Sequence, residues 1–456
     1  MQKKVLENKM DPLEIIPFTN RCSASTTVPG SKSISNRAFI LAAMCEGKIK
    51  LEGMLISEDV NLMKEALISL GVRIEAGEQE NDLVVYGCGG DLPIKEQEIF
   101  VGNAGTVARF LTALLSTQNG GVYKLDGTEA MRKRPMVELI SSLEKHGCSF
   151  EFLNEYGCFP FIMRTKGLRG NFWEVDARKS SQVLSALLMI APLINEKTTI
   201  QYSGGTVSKP FVNLTLEMMK SFSSEPGMDF KSKEEEVLVT CQGYRRRELT
   251  YSVEADATAS SYFLTLPLVV EGSCTVQGIS RKMYQGDSKY TEVIEKLGVK
   301  ILEDKHGITA IFSGNREGGD FNFNAISDTF LSLAAVSPLL SGFLKISGIA
   351  HTRKQETDRV KAMGIELRKL GQKVLETEDS LTIYPDFGNL QTIAEKDVYI
   401  DTYHDHRFAM SFAILGSFNL LGNGKPWLSI NNPMCCAKTF PEFFDRLNEV
   451  REQSVE

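Results

Sequence analysis

Residues 29–43, PGSKSISNRAFILAA, decide how the rest of the chain is read. The segment opens on the turn pair Pro29-Gly30, continues through Ser31-Lys32-Ser33-Ile34-Ser35-Asn36-Arg37 and ends in an apolar run. Small hydroxyl residues ahead of such a run predict a helix N-terminus, with Ser31, Ser33 or Ser35 as its cap. The open N–H groups and positive dipole end of that helix attract an anion. Lys32 and Arg37 add two full charges, the arginine as a planar fork matched to phosphate oxygens. The segment is not a Walker loop, because Thr26 and Ser31 stand where that pattern needs glycine.

The pattern returns five times. GNAGTVARFLTALL starts at Gly102, DARKSSQVLSALLMIA at Asp176, DATASSYFLTLPLVV at Asp256, DTFLSLAAVSPLL at Asp328 and DHRFAMSFAIL at Asp405. With the first copy, these starts recur about every 75 residues, the mark of a repeat architecture. Each copy also carries a more amphipathic helix, expected at 58–70, 134–146, 209–222, 287–297, 356–370 and 437–450. LGVRIEA, LGVKILE and LGQKVLE read as helix ends capped by glycine that pass directly into strands. Further strands are expected at 83–86, 161–164, 237–241, 308–312, 381–384 and 427–430. Each unit therefore mixes strands with one apolar and one amphipathic helix, and stacking the units buries the apolar one.

Composition sets the outer limits. A chain of 456 residues holds two or three domains with sizeable cores. A formal charge of −7 disfavours a nucleic-acid binder, so any anion site is local. Nine cysteines without CxxC spacing suit reduced thiols. No apolar stretch has the length and purity of a membrane span, and the start lacks a signal-peptide core. A cytoplasmic protein is expected, with no membrane partner.

PGSKSISNR, GNAGT, RKRP, SSQ, SKP, QETDR, HDHR and AKTFP stand in the order and spacing of one family. Over residues from about Pro29 to Phe443 the chain resembles the EPSP synthase family, whose members move the enolpyruvyl group of phosphoenolpyruvate onto the 5-hydroxyl of shikimate 3-phosphate. The resemblance implies an inside-out α/β barrel fold of two similar globular domains, each built from three βαβαββ-type units. Residues 30–254 would form one domain, residues 1–29 with 255–456 the other, and the active site would lie in the cleft between them.

The resemblance also implies the site. Shikimate 3-phosphate would be held by Lys32, Ser33, Arg37, Ser180, Ser181, Gln182, Ser208, Asp328, His351 and Gln355. Phosphoenolpyruvate would meet Lys32, Asn103, Gly105, Arg134, Gln182, Arg359, Arg407 and Lys438. Gly105 is the close-approach glycine, where a Cβ would intrude on the donor's space. The chemistry is an addition followed by an elimination, and it needs acid–base groups at the hydroxyl and at C3 of the donor. Asp328 is the expected base for the hydroxyl, although it also stands where a helix N-cap belongs, and Lys32 and Glu356 would handle the proton at C3. No cofactor is implied and no metal: His404, His406, Asp401 and Asp405 lack a matching further ligand. The chain would work as a monomer on small molecules alone.

Three residues depart from the commoner family pattern. Gln355 replaces a lysine, His351 an asparagine and Phe211 a tyrosine; Phe110 stands where many members have proline. A UDP-N-acetylglucosamine enolpyruvyl transferase shares the fold and donor, but it carries a loop cysteine in the region matching 116–134, and none is present here. A non-catalytic phospho-metabolite sensor on the same scaffold is the rival of another class. Such a binder has no use for Lys32, Asp328 and Glu356 together.

Overall fold

The computed structural model describes residues 11–177, 180–194, 197–202, 209–223, 230–233, 235–240 and 243–455. The chain divides into two compact units: one is Gly30–Glu254, and the other joins the segment ending at Pro29 to the segment beginning at Ala255. Six helices carry the repeated apolar runs: α1 (Lys32–Met44), α2 (Gly105–Ser116), α3 (Ser181–Ile190), α4 (Ala257–Val270), α5 (Phe330–Val336) and α6 (His406–Gly416). Helices α2, α4, α5 and α6 are buried along their whole length. A helix apolar on every face has to sit inside its domain, and here the sheets surround it. This is the inside-out α/β arrangement.

The unit Gly30–Glu254 has three four-stranded sheets among its described residues. In one, Glu96–Phe100 runs parallel to Asn119–Asp126 with α2 as the crossover, and Phe161–Lys166 and Ser149–Phe152 extend it antiparallel. Phe172–Val175 and Thr198–Tyr202 repeat this around α3. The third sheet closes the unit, since Lys48–Glu52, just after α1, pairs in parallel with Glu248–Ser252 from its far end.

The other unit uses the same device. Cys22–Thr27 pairs in parallel with Gly272–Gln277, although the whole Gly30–Glu254 unit is inserted between them. Each unit also seals its own crossing point: Ser31 N donates to Glu254 O at 2.9 Å, and Asp256 N donates to Pro29 O at 2.8 Å. Glu317–Asn322 pairs in parallel with Ser341–Ser347 around α5, and Val398–Ile400 with Leu428–Ile430 around α6. No helix among the described residues is long and apolar enough to cross a membrane.

The amphipathic helices follow the expected order with shifted starts. The helix expected from residue 134 begins at Val137, beyond Pro135, and the one expected from 356 begins at Arg359 with Asp358 as its cap. The one expected from 437 begins at Phe443, preceded by a 3₁₀ turn over Pro433–Lys438. Gly71, Gly298 and Gly371 turn the chain from helix to strand with φ of +91°, +92° and +77°.

Gly30 has a different constraint. A methyl there would lie 2.1 Å from the Gly53 carbonyl oxygen, so backbone has to move. Gly30→Ala is expected to lower the melting temperature by roughly 5 °C, the shift about 2 kcal/mol produces in a unit of this size. An unchanged melting curve would show that the crossing tolerates the displacement.

Candidate functional site

Among the described residues, the motifs other than SKP contribute side chains to two clusters, and these balance charge in opposite ways. In the unit Gly30–Glu254, Ser31 caps α1 by position, but its side chain makes no capping bond. Lys32 opens the helix, and its Nζ lies 3.3 Å from the buried carboxylate of Asp59. Arg37, one turn on, is fully enclosed. Its Nε donates to Thr215 Oγ1 at 2.8 Å, Nη1 to Ser33 O at 3.0 Å and Nη2 to Ser185 Oγ at 3.1 Å. The guanidinium faces the rings of Phe110 and Phe211, 5.0 and 5.8 Å from their centroids. Two of the departures from the family pattern therefore line this one cation.

Around α2 the same economy recurs. Arg109 Nη1 donates to Gly105 O and to Gln182 Oε1, both at 3.1 Å, and Nη2 to Pro135 O at 3.3 Å. The bond to Gln182 leaves that side chain's amide N–H groups as its remaining donors. Arg134 Nη1 reaches Asn103 O at 3.4 Å. A methyl on Gly105 would sit 2.6 Å from Arg134 Nη2 and 3.0 Å from Arg109 Nη1, so its neighbours are the two guanidiniums themselves. Ser180 caps α3, its Oγ accepting from Gln182 N at 3.3 Å, and Ser181 is buried beside it. Ser208 lies outside the described residues.

Neither Arg37 nor Arg109 has a carboxylate partner among the described residues. Burial pushes both down to about 9, with the nearby Arg134 charge also lowering Arg109. Arg109 escaped sequence reading although it lies inside a quoted motif. A lone arginine in an otherwise apolar, fully buried helix was the available signal.

The cluster in the other unit pairs its cations with carboxylates. Arg359 is 1 % exposed and meets three carboxylates: Asp405 at 2.7 Å, Asp328 at 2.9 Å and Glu356 at 2.9 Å. Its Nη1 also donates to Gln355 Oε1, so the neutral replacement for lysine serves as an acceptor here. Arg407 Nη2 takes the second oxygen of Asp328 at 2.7 Å, and Lys438 Nζ takes the second oxygen of Glu356 at 2.8 Å. Burial alone would lower Arg359, but Asp405, Glu356 and Asp328 outweigh it and hold the guanidinium above its usual range. Arg407 behaves likewise, chiefly through Asp328.

Asp328 does not take the helix-cap position that was its alternative reading. It lies in the 3₁₀ turn Asn324–Thr329, and Thr329 stands at the cap position of α5. Both its carboxylate oxygens turn instead to the two arginines. His351 Nε2 is 2.8 Å from Ser327 Oγ; burial pushes the imidazole down, against the pull of Asp328.

Asp287 was read only as a helix start, and it proves to be a buried acid hydrogen-bonded by the Thr258 hydroxyl. Desolvation, then the Asp328 charge, pushes it up from 3.8 to about 7, while Thr258 and Arg407 pull it down. Between those two values the folded protein holds a proton that the unfolded chain has lost. The resulting stability is complete below about 4 and disappears as pH rises through 7. Asp287→Asn is therefore expected to raise the melting temperature relative to the parent at pH 8 and to gain less at pH 5. A difference independent of pH would contradict the assignment.

Residues 18–447 match the family model of EPSP synthase (3-phosphoshikimate 1-carboxyvinyltransferase). The chain is 43% identical over 452 residues to the 3-phosphoshikimate 1-carboxyvinyltransferase of Opitutus terrae, covering 98% of this chain and 99% of that one. It is 36% identical to the enzyme of the same name from Trichormus variabilis, over 96% and 98% of the two chains. In fold it resembles the EPSP synthase of Acinetobacter baumannii, with a TM-score of 0.76 at 24% identity over 96% of this chain and 97% of the other. The enolpyruvyl transferase NikO of Streptomyces tendae gives 0.72 at 15% identity over the same shares. Among the described residues, six apolar helices enclosed by six sheets and motif residues near the helix ends agree with a full-length match to one family: the chain belongs to the EPSP synthase family.

Proposed function

We propose that the protein transfers the enolpyruvyl group of phosphoenolpyruvate to the 5-hydroxyl of shikimate 3-phosphate and releases phosphate. The observation that carries this reading is the Asp328–Arg359–Glu356–Lys438 chain of contacts, in which two carboxylates alternate with two cations that the family resemblance assigns to the donor. A sensor needs the cations; it has no need of acids interleaved with them. No cofactor takes part in the proposed reaction.

Each group then has a task. Ser33, Arg37, Ser180, Ser181 and Ser208 hold shikimate 3-phosphate, with Gln182 shared between the substrates. Arg37 and Arg109 act as buried positive charges whose desolvation a bound anion offsets. Arg134, Arg359, Arg407 and Lys438 bind the donor's phosphate and carboxylate, with Asn103 and Gly105 beside them. As these cations turn to the donor, Asp328 is freed to accept the hydroxyl proton. The hydroxyl oxygen forms a bond to C2, and C3 takes a proton from Lys32 or Glu356. In the second step C3 returns a proton, the C2–C3 double bond re-forms, and phosphate departs with the electrons of its C–O bond.

The test is phosphate release on mixing the protein with both substrates. The parent should turn over, and Asp328→Asn should lose about a hundredfold or more in kcat, the usual worth of a positioned acid or base. Binding of both ligands without phosphate release would establish the sensor reading. Release with UDP-N-acetylglucosamine in place of shikimate 3-phosphate would establish the other transferase.

A further inference from the structure

The turn that delivers Asp405 and Arg407 is held in a costly conformation by groups with no assigned role. Tyr403 and His404 both have left-handed backbones, with φ of +54° and +58°, and neither is glycine. Such consecutive residues persist only where their surroundings over-determine them. The constraint comes from Glu366, two helical turns after Arg359 on the helix Arg359–Lys369. Its carboxylate is fully buried. One oxygen accepts from Tyr403 OH at 2.5 Å and the other from Asp401 N at 3.2 Å, while Lys369 Nζ lies 3.0 Å from both.

The contacts continue outward from there. Lys369 Nζ also reaches Asp401 Oδ2 at 2.5 Å, and Asp401 Oδ1 accepts from Asn431 Nδ2 at 2.8 Å. Thr402 Oγ1 donates to Asn431 O at 3.0 Å, and His404 Nδ1 lies 2.8 Å from Asn432 Nδ2. Directly beyond the turn, Asp405 N donates to Thr402 O at 2.8 Å, and Asp405 caps α6 while gripping Arg359. A single rigid helix therefore carries Arg359 at its first turn and, through Glu366, fixes the loop bearing that arginine's partner.

We infer that Glu366, with Tyr403, is a clamp that sets the placement of Asp405 and Arg407, and so a positioning residue for the phosphoenolpyruvate end of the site. The kinetic consequence rests on the function proposed above; the clamp itself does not. Glutamine at 366 could still accept from Tyr403, but its NH₂ would then face the Asp401 N–H, and the neutral amide would no longer pair with the Lys369 ammonium.

In Glu366→Gln the amides of residues 401–405 should exchange with deuterium about tenfold faster than in the parent. The same variant should lose about tenfold in kcat/KM for phosphoenolpyruvate while the Kd for shikimate 3-phosphate stays within about twofold. Tyr403→Phe, which removes one bond and no charge, should move both readouts in the same direction by about threefold. Equal losses toward both substrates would reduce Glu366 to a general structural residue and overturn the inference. Unchanged exchange in a folded Glu366→Gln protein would overturn it as well. A parent that releases no phosphate would sink the functional reading, and exchange at 401–405 alone would then decide the clamp.

Discussion

A guanidinium buried away from water has lost several kcal/mol of hydration, and something must replace it. Arg359 is answered in full by Asp405, Asp328 and Glu356, and the pattern spreads until three cations and three carboxylates share one network. Arg37 and Arg109 bond to hydroxyls, carbonyls and an amide, with aromatic rings beside Arg37 and the Glu138 charge acting on Arg109 from a distance. One unit therefore holds a neutral arrangement of acids and bases, and the other holds two buried guanidiniums with no carboxylate in hydrogen-bond contact among the described residues. An acid–base reaction calls for the first, and a phosphorylated substrate calls for the second. A chain with a formal charge of −7 can bind anions because these charges are placed locally.

The fold explains why the chemistry collects where it does. Helices such as α2 and α6 are buried throughout, so charged groups are tolerated only at their first turns or where they find partners. Lys32 on α1, Ser181 and Gln182 on α3, and Arg407 on α6 all occupy first turns, and Asp328 lies in the turn just before α5. Those ends also carry the open N–H groups and the positive end of the helix dipole. The parallel pairings then fix where each helix begins, because every crossover must return its strand beside the previous one.

Much of this was legible in the chain. The six apolar runs and their period predicted buried helices, and the glycines after the amphipathic helices predicted the turns at Gly71, Gly298 and Gly371. Boundaries slipped where local chemistry competed: Pro135 delays one helix to Val137, and Asp358 caps another that was expected to start at 356. The candidate site was legible as a set of residue types near helix ends. Most of its pairings were not, because they join distant positions, as in Arg359–Asp405, 46 residues apart, and Glu356–Lys438, 82 apart. Nothing local in the sequence marks Asp328 for two arginines in place of a helix cap, or Glu366 for Tyr403. Such choices are made by tertiary packing.

The contrast between a compensated and an uncompensated set of buried arginines is the central claim, and proton uptake on binding tests it directly. Burial holds the Arg37 and Arg109 guanidiniums below their usual range, and a bound phosphate would supply counter-charge and draw both back up. Calorimetric titration with shikimate 3-phosphate, repeated in buffers of different ionisation enthalpy, should then report a net proton uptake that grows as pH rises from 7 to 9. A binding heat that does not change with the buffer across that range would mean these arginines keep their full charge without the substrate, which would contradict the account.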